Sequence, residues 1–242
     1  MWWNAVSGLM LHAKDMTPDQ AIERLRAGNA RFVAGEAEHP NADAARLALA
    51  ARANQGDPAY ATVLTCSDSR VPTELLFDAG VMDIFSIRVA GNVCNTDEVG
   101  CIEYGVCHVH TPVALVLGHT QCGAVTAVTR ALQGGGARLE RNILPLTASI
   151  EIAVRRAMDA HPDLSGDALI PAAIEENLWL AVERLFLRSP AVRAAVHAGT
   201  TKVLGAMYDV GTGEVCLLSE EKALAILGAA EQNPERETEP LA

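Results

Sequence analysis

The stretch ATVLTCSDSR, residues 61–70, decides the fold. Its first five residues are apolar or β-branched and form a short β-prone run; chemistry-bearing side chains begin directly after it. The arrangement recurs in VALVLGHTQCG, residues 113–123, where the run 113–117 precedes a histidine and a cysteine. A third run, 84–89, and helical segments including 97–109 alternate with these two. Such alternation implies right-handed crossovers and a parallel sheet. Reactive residues in an open parallel sheet gather at the carboxyl edge of the strands, so both blocks belong to one crevice.

Working outward, Thr17 and Pro18 mark a helix start, and a helix over 21–32 carries Ile22, Leu25 and Phe32. A polar connector at 37–43 leads to an alanine-rich helix over 44–53. These first 55 residues hold too few large apolar groups for a core of their own and read as an arm; its apolar side chains are expected to cover a second subunit. Beyond the second block, helices are expected over 125–132, 143–158 and 172–187, with a break at Gly134-Gly135-Gly136. Runs 202–210 and 214–218 flank Gly211-Thr212-Gly213 as a terminal hairpin. From Gln232 onward the chain is rich in Glu and Pro and is expected to fray. The reading is one α/β domain over 1–242: arm and connector to 55, catalytic core 56–220, and a C-terminal helix and tail 221–242.

Half of the 242 residues are apolar but only 4% aromatic, so the core is built from Val, Leu, Ile and Ala. A formal charge of −11 argues against a nucleic-acid groove or an anionic membrane as partner. The apolar runs are far below membrane-span length, and the start lacks a basic region and a continuous apolar core. A cytoplasmic protein is expected. Of the six cysteines, Cys101 and Cys107 sit in a helical stretch and are expected as buried thiols.

Cys66, His119 and Cys122 are soft sulfur and nitrogen donors that suit zinc, and three such ligands leave one position for water. Asp68 is a fourth donor that can close the coordination sphere or stand beside it. Arg70 competes for that carboxylate and can draw it away from the metal. Cys122 also precedes a helix, whose first N–H groups favour a thiolate.

Together these residues resemble the β-class carbonic anhydrases. The matching text is CSDSRVPTELLFDAG at 66–80, RVAGN at 88–92, EYGV at 103–106 and LGHTQCGAV at 117–125, with further similarity from 28–35 to 205–215. The resemblance implies a central, mostly parallel sheet flanked by helices, with an N-terminal helical arm and a C-terminal antiparallel edge. It implies one Zn2+ per monomer on Cys66, His119 and Cys122, with Asp68 alternating between zinc and Arg70. The implied reaction is the reversible hydration of carbon dioxide to bicarbonate and a proton by zinc-hydroxide attack, in a homodimer or higher homo-oligomer. Phe85 and Tyr104 resemble aromatic positions lining the substrate crevice; Gln55 is the candidate for a glutamine reaching across the dimer. Gly91 and Gly123 stand beside the pocket. His108 and His110 are proton-shuttle candidates by residue type alone. A subgroup with a second bicarbonate site carries tryptophan three residues before the first zinc cysteine. Val63 stands there, so that site is not expected, although Arg88 and Tyr208 match its other two positions. Carbonyl sulfide or carbon disulfide hydrolysis and a silent zinc scaffold are the competing functions.

Overall fold

All five residues of β1 (Ala61–Thr65) and all seven of β3 (Val113–His119) are buried. Such two-sided burial marks the central strands of a parallel sheet. The structure is a computed structural model and describes residues 16–135 and 140–238. The stretch 1–15 and Gly136 of the expected break lie outside the described residues. β2 (Ile84–Arg88) runs parallel to β1 with Ala61 opposite Ile84, and β3 lies along the other edge of β1 with Thr62 opposite Ala114. β4 (Lys202–Tyr208) continues in parallel from β3, and the short β5 (Val215–Leu217) adds an antiparallel edge. The order is β2-β1-β3-β4-β5. From β1 the chain moves out to β2 and then returns to the opposite edge for β3, so a topological switch point lies between β1 and β3.

One face of the sheet is covered by α1 (Pro18–Ala34) and α3 (Thr73–Leu76). α1 starts on a reciprocal cap: Thr17 Oγ1 accepts from the Gln20 N–H at 3.3 Å, and Gln20 Oε1 accepts from the Thr17 N–H at 2.8 Å. Ala21 and Leu25 are fully buried against Val63, Leu115 and Leu117, with Ile22 and Phe32 packed at the margin. This corrects the expectation that the arm's apolar side chains cover a second subunit. α1 belongs to its own chain's core, because the apolar face of β1 and β3 needs a helix on each side. α2 (Ala44–Ala50), capped by Asp43, buries none of its residues.

Two buried aspartates fasten the arm. Asp78 accepts from the N–H groups of Glu38 and His39 at 3.0 and 2.9 Å and from Arg31 Nε at 2.6 Å. Asp83, 1% exposed, accepts from Arg46 at 2.8 Å, Asn41 at 2.8 Å, Arg24 at 3.4 Å and the Gly80 N–H at 2.9 Å.

α4 (Thr96–Cys107), α7 (Ile170–Arg188), α8 (Pro190–His197) and α9 (Glu220–Gln232) pack on the other face. α4 lies directly on β1 at Gly105, where a Cβ would come within 2.1 Å of Thr62 Oγ1. Its inward stripe is Val99, Ile102, Gly105 and Val106. Cys101 falls off that stripe and is exposed, and Cys107 is only half-buried, which corrects their expected burial. α5 (Gly123–Leu132), α6 (Leu144–Ala160) and the start of α7 enclose the carboxyl edge of β1 and β3. The tail is docked rather than frayed through Glu237, whose N–H donates to Leu187 O at 2.9 Å while the buried Arg193 donates to its carbonyl.

Candidate metal centre

Each functional side chain stands where a strand stops. Cys66 is the first residue past β1, His119 the last of β3, and Cys122 immediately precedes α5. The parallel ladders continue beyond the strand ends and fix both exits. The Ser67 N–H donates to Val89 O at 3.2 Å, and the Thr120 N–H to Tyr208 O at 2.9 Å. Between His119 and α5 the backbone turns through Gln121 in the left-handed region, at φ 58. A side chain with a Cβ pays for that conformation in strain, which is tolerated where the surroundings impose it.

The ligand atoms of Cys66, His119 and Cys122 all lie within 4.8 Å of one another, and all three residues are buried. His119 Nδ1 lies 2.9 Å from Thr120 O, a contact that places the ring proton on Nδ1 and turns Nε2 inward as a lone-pair donor. That Nε2 is buried without a hydrogen-bond partner. An orphaned buried nitrogen beside two thiols is a costly arrangement in a dry core and a natural one in a metal cage.

The two cysteines share their protons. Cys66 is pulled far below an ordinary thiol, first by the neighbouring Cys122 thiol and further by the Gly91 N–H, against the opposing effect of burial. Cys122 is correspondingly pushed up, because it is the donor to Cys66 and because it is buried, against the pull of the Val125 and Ala124 N–H groups at the start of α5. A divalent cation supplies the positive charge that releases the remaining proton and leaves both sulfurs as thiolates. The donor set therefore fits zinc.

Asp68 stands outside this cluster. Its Oδ1 accepts from the Arg70 backbone N–H at 2.9 Å and from Arg70 Nε at 3.0 Å, and its Oδ2 accepts from Arg70 Nη2 at 2.8 Å. The Arg70 hydrogen bonds hold the carboxyl well below the usual carboxylate range. Arg70 is itself braced by Gln121, donating to its carbonyl at 3.1 Å and toward its Oε1 at 3.4 Å. Arg88 clasps the same turn from β2, donating to Cys66 O at 3.2 Å and Asp68 O at 2.7 Å. Sequence reading missed Gln121 and gave Arg88 no such role; both act through contacts that only the fold creates.

The pocket candidates divide. Gly91 is adjacent, its N–H donating to Cys66 Sγ at 3.3 Å. Gly123 is exposed beside Cys122, with nothing within 4 Å of where a Cβ would stand. Phe85, Tyr104 and Gln55 lie elsewhere in the same chain. Phe85 pairs with Thr62, three rungs of the ladder before Thr65 and Arg88, toward the amino end of the sheet. Tyr104, 49% exposed, has its ring 5.9 Å from that of Phe85 and 5.3 Å from that of His108. Gln55 is exposed in the loop before β1, and its neighbour Gly56 abuts Val109. Val63, at the tryptophan position, is fully buried beneath α1.

Residues 61–215 match the family model described as Carbonic anhydrase. The chain is 35% identical over 204 residues to a carbonic anhydrase of Mycolicibacterium smegmatis, covering 84% of this chain and 94% of that protein. It is 32% identical over 203 residues to carbonic anhydrase 2 of Mycobacterium tuberculosis, covering 83% and 92%. Among solved structures it resembles the β-carbonic anhydrase CafA of Aspergillus fumigatus, with a TM-score of 0.64, 25% identity, and 86% and 97% of the two chains covered. The family model spans more than half of the chain and the similarity extends over most of its length, and the chain belongs to the β-class carbonic anhydrases.

Proposed function

We propose that Asp68 and Arg70 control access to the metal centre of this chain, a zinc-dependent carbonate dehydratase that converts carbon dioxide reversibly to bicarbonate and a proton. What supports this reading is one juxtaposition. Three buried donors converge, and the nearby carboxylate is held by three hydrogen bonds from a single arginine. Cys66, His119 and Cys122 would hold one ion per chain. Bound there, zinc lowers the pKa of water to about 7, the figure established for zinc carbonic anhydrases, so that hydroxide is available to add to the carbon of CO2. Arg70 keeps Asp68 turned from the ion and ionised. In that state Asp68 would be available as an acceptor for the O–H of the attacking water. Released from Arg70, the carboxylate would be free to serve as a fourth donor to the ion and so close the site.

Carbon dioxide is small and apolar and needs little recognition surface. Phe85, Tyr104 and Gln55 serve it best from a second subunit. The outer edge of β2 carries no strand among the described residues, and exposed Leu75 and Tyr104 lie on the elements beside it. A two-fold axis joining two β2 edges runs the strands antiparallel, so the amino end of one sheet meets the carboxyl edge of the other. Phe85 and Tyr104 then face the partner's metal centre. The basic unit is a homodimer, and arm and core form one unit through the cluster under α1. No helix of the described residues is long and apolar enough to cross a membrane. Cys66 and Cys122 bind metal only when reduced, which supports a cytoplasmic setting.

Stopped-flow CO2 hydration across pH, with zinc content measured on the same sample, tests the reaction. One zinc per chain with accelerated hydration is expected; zinc without acceleration would mean a silent scaffold. Sedimentation at low protein concentration is expected to find at least a dimer, and a stable, active monomer contradicts the shared site.

A further inference from the structure

Gly91 stands one step outside the metal ligands, and Asn177 stands one step outside Gly91. The Gly91 N–H donates to Cys66 Sγ at 3.3 Å. Across the same α-carbon, Asn177 Nδ2 donates to the Gly91 carbonyl at 2.8 Å. Gly91 has φ +76, and a Cβ there would lie 2.6 Å from Ile150 Cδ1 and 3.2 Å from Ala124 Cβ. The turn is therefore packed closely between α5 and α6, in a backbone conformation that favours glycine. Packing of this kind fixes where the turn sits. It does not fix which way its peptide groups point, because a residue without a side chain has broad backbone freedom. The hydrogen bond from α7 does.

Asn177 is 2% exposed and interrupts the apolar stripe Ala173, Ile174, Leu178 and Ala181 of α7. A buried amide in such a stripe is unfavourable unless its hydrogen bonds are made. Its side chain makes no hydrogen bond to any of the three metal ligands; the amide donates to the Gly91 carbonyl instead. We infer that Asn177 is a positioning residue for the metal centre: it orients the Gly91 backbone so that its N–H points at the Cys66 sulfur and sets the electron density that sulfur gives to the ion. Hydrogen bonds to a ligating atom are known to tune both its donor strength and its orientation. The inference rests on Cys66, His119 and Cys122 being the zinc ligands.

The test uses full-length protein carrying Asn177→Leu or Asn177→Ser, with Leu185→Ala on the same helix as a packing control. Zinc affinity is measured by chelator competition. Each protein is also loaded with cobalt(II), and its sulfur-to-cobalt charge-transfer band is recorded. Both Asn177 variants are expected to lose about 10–100-fold in zinc affinity. Their band is expected to move to longer wavelength, because a sulfur relieved of its N–H donor is more electron-rich. Leu185→Ala lowers thermal stability and leaves the band in place. Wild-type affinity and an unshifted band in either folded Asn177 variant overturn the inference, as does an equal shift in Leu185→Ala. Wild-type protein that retains no zinc overturns the ligand assignment instead.

Discussion

Asp68 and Asp78 are both paired with an arginine, and they are held in opposite ways. Asp68 keeps 18% of its side chain exposed, and the hydrogen bonds its carboxylate accepts all come from Arg70, two residues away, whose own side chain is 45% exposed. Asp78 is buried and is bound by two backbone N–H groups of the arm as well as by Arg31. Asp83 is similar, with ties to Arg46, Asn41, Arg24 and the Gly80 N–H. The carboxylate proposed to change partners is held by one exposed residue. Those that lock the arm to the sheet are held by several groups from distant parts of the chain, each of which would be left unpaired by its departure.

The sharpest break at the metal end is Cys66→Ser. Serine is a poor zinc ligand near neutrality, so retained zinc should fall well below one ion per chain and hydration should fall to the uncatalysed rate. Metal analysis and stopped-flow on one preparation check this, and near-wild-type stoichiometry would remove Cys66 from the ligand set. Next comes Arg70→Ala. Hydration is expected to fall about 10–100-fold, the usual cost of losing a group that orients a metal site. Zinc should stay bound, with Asp68 on the ion in a crystal structure, and Tm should hardly move. Full activity with Asp68 clear of zinc would end the proposed switch.

At the arm the pattern should invert. Asp83→Ala removes the buried carboxylate that half-buried Arg46 and Asn41 share, and breaking a buried pair from one side costs about 3–5 kcal/mol. A Tm fall of roughly 10 °C is expected for a chain of this size, with zinc content per folded molecule unchanged. The smallest effect concerns pH. Burial alone would raise the Asp78 pKa, but the N–H groups of Glu38 and His39 and the Arg31 guanidinium outweigh it, and the net shift is downward. A carboxylate depressed on folding contributes stability that is fully present above its unfolded value, about 3.9. That contribution is lost as pH falls through the lower folded value. The stability difference between wild type and Asp78→Asn should therefore be constant above about pH 5 and shrink below about pH 4. A difference that grows on acidification would show the sign to be wrong.

The sequence announced the metal end because its parts are local. The blocks at 66–70 and 119–123 each follow a strand, and a strand's end fixes where its next residues go. The hairpin and the α1 cap were legible for the same reason. Asp78 and Asp83 were not, since their partners lie some forty residues away and nothing in a short window pairs them. Asn177 left one trace: a lone amide in the buried stripe of a helix that is otherwise apolar on that side. The arm misled because Ile22, Leu25 and Phe32 show that a surface must be covered, without showing whose. Cys101 misled because membership of a helix says nothing of phase until the inward stripe is known.

The ladders that continue past β1 and β3 have a consequence for metal choice. Because Cys66 and His119 are set by the sheet rather than gathered by the ion, the site is a socket that exists before its occupant. Stripping the ion should leave a folded protein that reloads, unlike a zinc finger, whose fold is made by its metal. A ready-made socket of soft donors also ranks divalent ions by their intrinsic preference, and copper outranks zinc in that order. The discrimination then rests with the cell's metal supply, and copper stress becomes a threat to this enzyme's activity long before it threatens its fold.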